Sequence, residues 1–360
     1  MRRLLVLLAL AACDGGMATS SSAAPGLAAD PAGPRPTRHL RVAARYARLA
    51  VPIAVAHDGR RWLGAVGYEL VTYDGEREVG RWPVPVVGHD AHLRRLTNGG
   101  WLAGTTILDR DGKAVFGGDG WAQRYGRFGS AKAMAVSPDG RIAIVDGADS
   151  PSACLCDRER GTAGGSDGAL VRLTFVEGRV VERVLAEHGD RREYAVAASP
   201  TAIAAVDGLT LSVWPAAGDG PPVTATLTAP SLDSLAWAGD RFLIGTRYVG
   251  VDRTDIVVLD RDAGYQPVQA WPVDGLIRDL EVRPDGAEIA VAFTRYTATD
   301  HVWVDDRRVA IFALDGTRRA QVDTDGYPGS LSWSPRGDAL LVATTGNKPG
   351  DAAVIRYLTR

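Results

Sequence analysis

From about residue 39 onward the chain repeats one local pattern: an apolar run of β-formers, a tight turn, then a second apolar run. The clearest turns are Ser137-Pro138-Asp139-Gly140, Arg283-Pro284-Asp285-Gly286 and Ser334-Pro335-Arg336-Gly337, and Ser199-Pro200-Thr201 is a degenerate copy. Ala56-His57-Asp58-Gly59, Thr97-Asn98-Gly99-Gly100 and Ala238-Gly239-Asp240 occupy the same place with other turn residues. Proline presets φ at the first turn position and glycine accepts positive φ, so these tetrads suit hairpins. β-Formers precede the turns, as in Ala133-Met134-Ala135-Val136 and Ser330-Leu331-Ser332-Trp333, and a second strand follows, as in Glu288 to Phe293 and Ala339 to Thr344. Third strands run into aspartate-bearing turns, as in Leu70-Val71-Thr72-Tyr73-Asp74-Gly75 and Ile256-Val257-Val258-Leu259-Asp260. The second residues of the seven turns are 57, 98, 138, 200, 239, 284 and 335, spaced by 41, 40, 62, 39, 45 and 51. A base period of about 40 residues with two insertions is the length of a four-stranded propeller blade. The pattern predicts an all-β chain folded as a seven-bladed β-propeller over residues 39–360, with two sandwich domains as the competing arrangement.

The last repeat has first, second and third strands, the third near Ala353 to Leu358, and the chain stops at Arg360 without a fourth. His39 to Val51 is an unclaimed β-like segment before the first repeat. The expectation is that this N-terminal strand closes the last blade from outside and removes the open edges of an incomplete ring. The recurring Ser-Pro-Asp-Gly hairpins resemble those of the TolB-type, PD40-like propeller repeats of bacteria. The resemblance covers roughly residues 39 to 360 and implies a WD40-like ring, although no blade shows a Trp-Asp dipeptide.

The first 38 residues read differently. Arg2 and Arg3 precede an apolar run from Leu4 to Ala12, too short for a bilayer-spanning helix, which needs about 20 residues. This is the layout of a secretory signal. Leu10-Ala11-Ala12-Cys13 resembles the lipobox of bacterial lipoproteins; the resemblance implies a signal peptide over residues 1–12 and a lipid-bearing Cys13. An ordinary signal peptide with an incidental cysteine is the alternative. Residues 13–38 are rich in Ala, Gly, Ser, Pro and Thr, a composition that cannot bury enough apolar surface to offset ordering entropy and reads as a flexible tether. The expected location is the cell envelope, facing periplasm or outside, with the membrane contacted through the lipid anchor alone.

Composition narrows the function classes. Hydrophobic residues make up 46% and charged residues 23% of 360, ordinary for a globular chain. A formal net charge of -2 gives no global field that would attract nucleic acid or anionic lipid. No His-Glu-x-x-His helix or phosphate-cradling glycine loop occurs, although propeller enzymes assemble sites from scattered loop residues.

In a propeller the second-to-third connections, and those from a fourth strand to the next first strand, gather on one face. There the fifth repeat carries Thr246-Arg247-Tyr248, Asp252 and Asp255, and the sixth carries Thr294-Arg295-Tyr296 and Asp300. Arginine offers a planar fork of donors, and tyrosine adds a stacking face and a hydroxyl. Arg247, Tyr248, Asp252, Arg295, Tyr296 and Asp300 are therefore candidates for binding an anionic or sugar-like ligand or an acidic protein segment. Salt bridges between blades around a packed aromatic are the structural alternative. Arg278-Asp279 and Asp233 stand near first-strand starts and either join that rim or satisfy local backbone donors. The long insertion after Val145 holds Cys154 and Cys156, and His89 and His92 flank Asp90 before the second repeat. Export favours oxidation, so the two cysteines form a strained Cys-x-Cys bridge or, with the histidines, hold a soft metal such as Cu(I) or Zn(II). No cofactor other than such a metal is expected. The reading that follows is a non-catalytic envelope scaffold that binds a protein or a small polar ligand on its loop face. The alternatives are a periplasmic hydrolase or lyase, and metal or redox handling through Cys154 and Cys156.

Overall fold

The computed structural model describes residues 40–46, 52–58, 61–66, 69–83, 93–96, 101–103, 106–108, 114–116, 130–148, 167–176, 179–189, 195–228, 232–250, 253–295, 307–345 and 353–359. Strand β1 (Arg41–Tyr46) is followed by a sheet of β2 (Pro52–Asp58), β3 (Arg61–Val66), β4 (Glu69–Asp74) and β5 (Arg77–Pro83). Next come β6 (Leu93–Arg95), β7 (Trp101–Ala103), β8 (Thr106–Leu108) and β9 (Ala114–Phe116), then β10 (Ser130–Val136), β11 (Ile142–Ala148), β12 (Asp167–Val176) and β13 (Arg179–Gly189). The fourth and fifth repeats give β14 (Ala195–Ala198), β15 (Ala202–Asp207), β16 (Thr210–Pro215) and β17 (Val223–Thr226), then β18 (Ser234–Ala238), β19 (Phe242–Gly250), β20 (Arg253–Asp260) and β21 (Gln266–Val273). The sixth gives β22 (Leu276–Val282), β23 (Glu288–Thr294), β24 (Arg307–Ala313) and β25 (Arg318–Asp323). The last sheet joins β26 (Tyr327–Trp333), β27 (Ala339–Thr345) and β28 (Ala353–Leu358) to β1.

Each sheet is antiparallel, and first strands neighbour one another in the order β6, β2, β26, β22, β18, β14, β10. First strands are therefore innermost, as in a β-propeller. The expectation of a seven-bladed propeller is corrected: the propeller has six blades. Six sheets are full blades with strands of four to eleven residues, whereas β6 to β9 are three residues each and form only a miniature sheet. The reason lies in the sequence between Leu93 and Phe116. Gly99, Gly100, Gly104 and the Asp109-Arg110-Asp111-Gly112 run interrupt every apolar stretch after about three residues, and glycine and aspartate weaken strand interiors.

The N-terminal segment pairs antiparallel with β28 from Arg41↔Leu358 to Tyr46↔Val354, with a bulge between Val42 and Ala44. Tyr46 stacks on Trp62 at 5.2 Å, and Trp62 stacks on Tyr73 at 4.2 Å. The closing strand of the last blade is thereby fixed to the second and third strands of the first. Arg45 adds an ion pair of 2.6 Å to Asp325 in the connection before β26.

The serines of the hairpin turns have a structural task. Ser334 Oγ accepts the Ala339 N–H at 3.0 Å and donates to Asp338 at 2.7 Å; Ser137 Oγ accepts from Ile142 at 3.1 Å, and Ser199 Oγ from Ala202 at 2.9 Å. A buried hydroxyl thus satisfies the first donor of each second strand, which would otherwise cost about 1–3 kcal/mol.

Between blades, side chains of one inner strand accept backbone donors of the next. Asp279 accepts the Leu331 N–H at 2.7 Å and Glu281 the Trp333 N–H at 3.0 Å. Ser330 and Ser332 then accept from Val55 at 3.3 Å and His57 at 2.9 Å. The inner edge of each of these sheets lacks a backbone partner, and this side-chain ladder supplies one.

Burial pushes the Tyr357 phenol up to about 12, and it raises Tyr46, Tyr73 and Tyr265 for the same leading reason. The unfolded chain ionises its tyrosines near pH 10, before the folded one does. Their contribution is therefore complete below about pH 10 and is lost as pH rises through the folded values. The urea midpoint is expected to stay level up to that pH and fall above it, with Tyr357→Phe flattening the decline.

Candidate functional site

The β19–β20 hairpin is long, nine residues in β19 against five in β18, so its tip lies beyond the end of its own inner strand. Alternation places Arg247 and Tyr248 on opposite faces. Arg247 lies directly across from Asp255 in the ladder, and its Nη2 donates to that carboxylate. Arg253 Nε donates to the other oxygen of Asp255 at 2.9 Å. The Asp255 side chain is only 5% exposed, against 28% for Arg247 and 51% for Arg253. One buried carboxylate is thus clamped between two guanidiniums, which fixes the base of the tip.

The neighbouring connection holds the tip from the other side. Asp233 N–H donates to Thr246 O at 2.8 Å, and its carboxylate accepts the Tyr248 N–H at 2.6 Å. Ser234 and Thr246 hydroxyls meet at 2.7 Å. Leu232 is buried against Gly245, where an added Cβ would come within 2.5 Å of its Cδ1. On this fixed base Tyr248 and Val249 stand about half exposed, as does Leu209 at the β15–β16 turn of the adjacent blade. Leu227 N–H, at the start of the same connection, donates to Leu209 O at 2.8 Å.

Of the candidates read from the sequence, Arg247 and Tyr248 stand on this hairpin: Arg247 is held within its own blade by Asp255, and Tyr248 faces solvent. Arg295 is exposed at the end of β23, next to Thr294, whose hydroxyl receives the Arg278 Nε at 3.3 Å. Asp279 serves the inter-blade ladder. Asp252, Tyr296 and Asp300 lie outside the described residues, as do Cys13, His89, His92, Cys154 and Cys156. Among the described residues no group of three or more His, Cys, Asp or Glu is placed to hold a metal ion. Sequence reasoning missed Arg253, Val249 and Leu209. Arg253 is separated from the Arg-Tyr pair by the turn, and the two aliphatic residues read as ordinary strand formers.

No protein-family model matches the chain, and no curated protein matches it in sequence. Its fold is similar to solved structures. Raptor of Chaetomium thermophilum aligns with a TM-score of 0.60 at 12% identity over 89% of this chain, which spans 29% of that protein. U3-55K aligns with a TM-score of 0.55 at 12% identity, over 89% of this chain and 98% of that one. Both are propeller proteins, and at this identity the likeness speaks to fold alone: the chain is a β-propeller.

Proposed function

We propose that the protein is a non-catalytic scaffold of the bacterial cell envelope, a TolB-like propeller that binds a protein partner or a small polar ligand on its loop face. In this reading residues 1–12 are the signal peptide, Cys13 carries the lipid, residues 13–38 are the tether and residues 39–360 form the binding body. Arg247, Tyr248, Asp252, Arg295, Tyr296 and Asp300 belong to the binding face. The observation that carries the proposal is the exposed Tyr248–Val249 tip on a base fixed by the Asp255 clamp and by Asp233. Rigid presentation of an aromatic lowers the ordering cost of binding, and tyrosine and arginine are enriched where proteins meet.

Two measurements test it. Cys13→Ser is expected to move the protein from the membrane fraction to the soluble fraction of the envelope; retention in the membrane contradicts the lipid anchor. Partners that co-purify with the protein from detergent-solubilised envelope are expected to fall at least about tenfold with Tyr248→Ser, the loss of a central aromatic contact. Unchanged recovery contradicts the assignment of the binding face.

A further inference from the structure

Each sheet of the ring ends in an outer strand whose far edge has no strand beside it among the described residues. Such an edge is a template for another chain, and bulges, prolines and short length protect it. β5, β21, β25 and β1 are each bulged within their first three residues, at Val79, Val268, Arg319 and Ala43. Pro83 ends β5, Pro272 interrupts β21 again, and β9 and β17 are only three and four residues long. β13 is the exception. It has eleven residues without a proline, and its bulge comes late, at Leu185, so Arg179–Val184 pairs with β12 in unbroken register.

The side chains along β13 select the strand that would fit. Alternation and the Leu185 bulge put Val181, Arg183 and Ala186 on one face and Glu182, Val184 and Glu187 on the other. Val181 is 55% and Val184 46% exposed. Arg183 is already engaged: its Nη1 donates to Gly218 O at 3.0 Å, its Nη2 to Asp219 O at 3.2 Å, and the Asp219 carboxylate neutralises it. The opposite face carries two carboxylates, Glu182 and the exposed Glu187. A second copy of β13 is a poor match. A two-fold axis at Val181, Glu182 or Arg183 sets Arg179 opposite Arg183, Glu182 opposite Glu182, or Arg183 opposite Arg183, and like charges directly opposite are destabilising.

We propose that the β13 edge from Arg179 to Val184 accepts an extended segment of a partner protein as an added outer strand, and that this segment alternates basic with apolar residues. Every second residue of an edge strand points its N–H and C=O outward, and these groups supply the hydrogen bonds. The basic side chains lie on the face of Glu182 and Glu187, their methylene stems covering Val184. The apolar ones pack against Val181 on the other face. This surface is on the rim of the ring, apart from the loop face, and the two stand or fall separately.

The test uses the full-length protein and fluorescein-labelled peptide pools read by anisotropy. One pool alternates Lys or Arg with Val or Ile, a second has Glu in place of the basic residues, and a third is the first with its backbone amides methylated. The basic pool is expected to bind, and at least about tenfold more weakly to Val181→Pro and to Glu182→Lys, as for the loss of interface anchors. Glu182→Lys is also expected to favour the acidic pool over the basic one. The methylated pool, which has no backbone donors to offer, is expected not to bind. Should Val181→Pro fail to fold, Glu182→Lys and the methylated pool still decide. Val268→Lys, on the outer strand β21, leaves binding unchanged. Equal binding of the acidic or methylated pool, undiminished affinity at Glu182→Lys, or no binding of the basic pool overturns the proposal. So does a concentration-dependent dimer abolished by Val181→Pro, since a second copy would then fill the edge.

Discussion

Truncation to residue 47, which removes β1, is expected to lower the melting temperature by roughly 10 °C relative to truncation to residue 40, at about 2 °C per kcal/mol for a large domain. Tyr46 is the one buried side chain of β1; it stacks on Trp62 and belongs to one buried cluster with Val55, Val71, Tyr73, Leu341 and Val354. Deleting a buried aromatic costs about 3–5 kcal/mol. The ladder to β28 and the Arg45–Asp325 pair go with it. Exposed surface pairs of that kind contribute about 1 kcal/mol or less, so the aromatic stack carries most of the loss. The cut also uncovers the whole edge of β28, an apolar strand in which Ala353, Val354, Ile355 and Tyr357 are buried. A free edge of that kind invites pairing between chains, and the shorter protein should aggregate on heating. Equal melting temperatures for the two truncations would show that the N-terminal strand does not close the ring.

The second large effect is expected at a turn. Gly286 has φ of +74°, and an added Cβ would lie 2.7 Å from Gly239 N and 3.1 Å from Ala238 C in the corresponding turn of the preceding blade. These are backbone atoms and cannot rotate away. Gly75 has a similar φ of +64° but open space where its Cβ would be. Gly75→Ala should therefore cost about 1 kcal/mol, the strain of a left-handed residue alone. Gly286→Ala should cost about 3 kcal/mol, because two turns must also separate. Urea denaturation of both variants reads the difference. The result bears on the ring as a whole, since successive first-to-second turns touch: Thr201 donates to Asp240 at 2.7 Å, and a Cβ on Gly337 would come within 2.8 Å of Arg283 Cγ. Equal costs for the two substitutions would mean that the turns of blades 5 and 6 are not in contact.

Turn chemistry made much of this fold legible. Ser137, Ser199 and Ser334 mark hairpins because a hydroxyl at that place closes the next strand, and proline and glycine set the backbone around it. The missing last strand and the orphan segment at Arg41–Tyr46 pointed to each other for the same reason, since an unpaired edge needs a partner. The number of blades was not legible. Thr97-Asn98-Gly99-Gly100 is a strong turn signal, but a turn does not report the length of the strands beside it, and those at Leu93–Arg95 and Trp101–Ala103 are only three residues. The ten- and eleven-residue strands β12 and β13 likewise contribute to the widest spacing of the repeat, which the sequence attributes to an insertion. At the loop face, adjacency misled. Arg247 and Tyr248 are neighbours in the chain, yet alternation turns them apart, so the arginine is taken up by Asp255 across the ladder while the tyrosine faces out. Arg253, beyond the turn, shares Asp255 with Arg247, and only the register of β19 against β20 identifies it.

The proposed function has one face of this propeller meet another protein. Photoreactive phenylalanine analogues placed at Val249 and, separately, at Arg336 compare the two faces most directly in intact cells. Illumination is predicted to yield discrete protein adducts from position 249 and none above background from position 336. Equal adduct yields from both positions, or none from position 249, would contradict it.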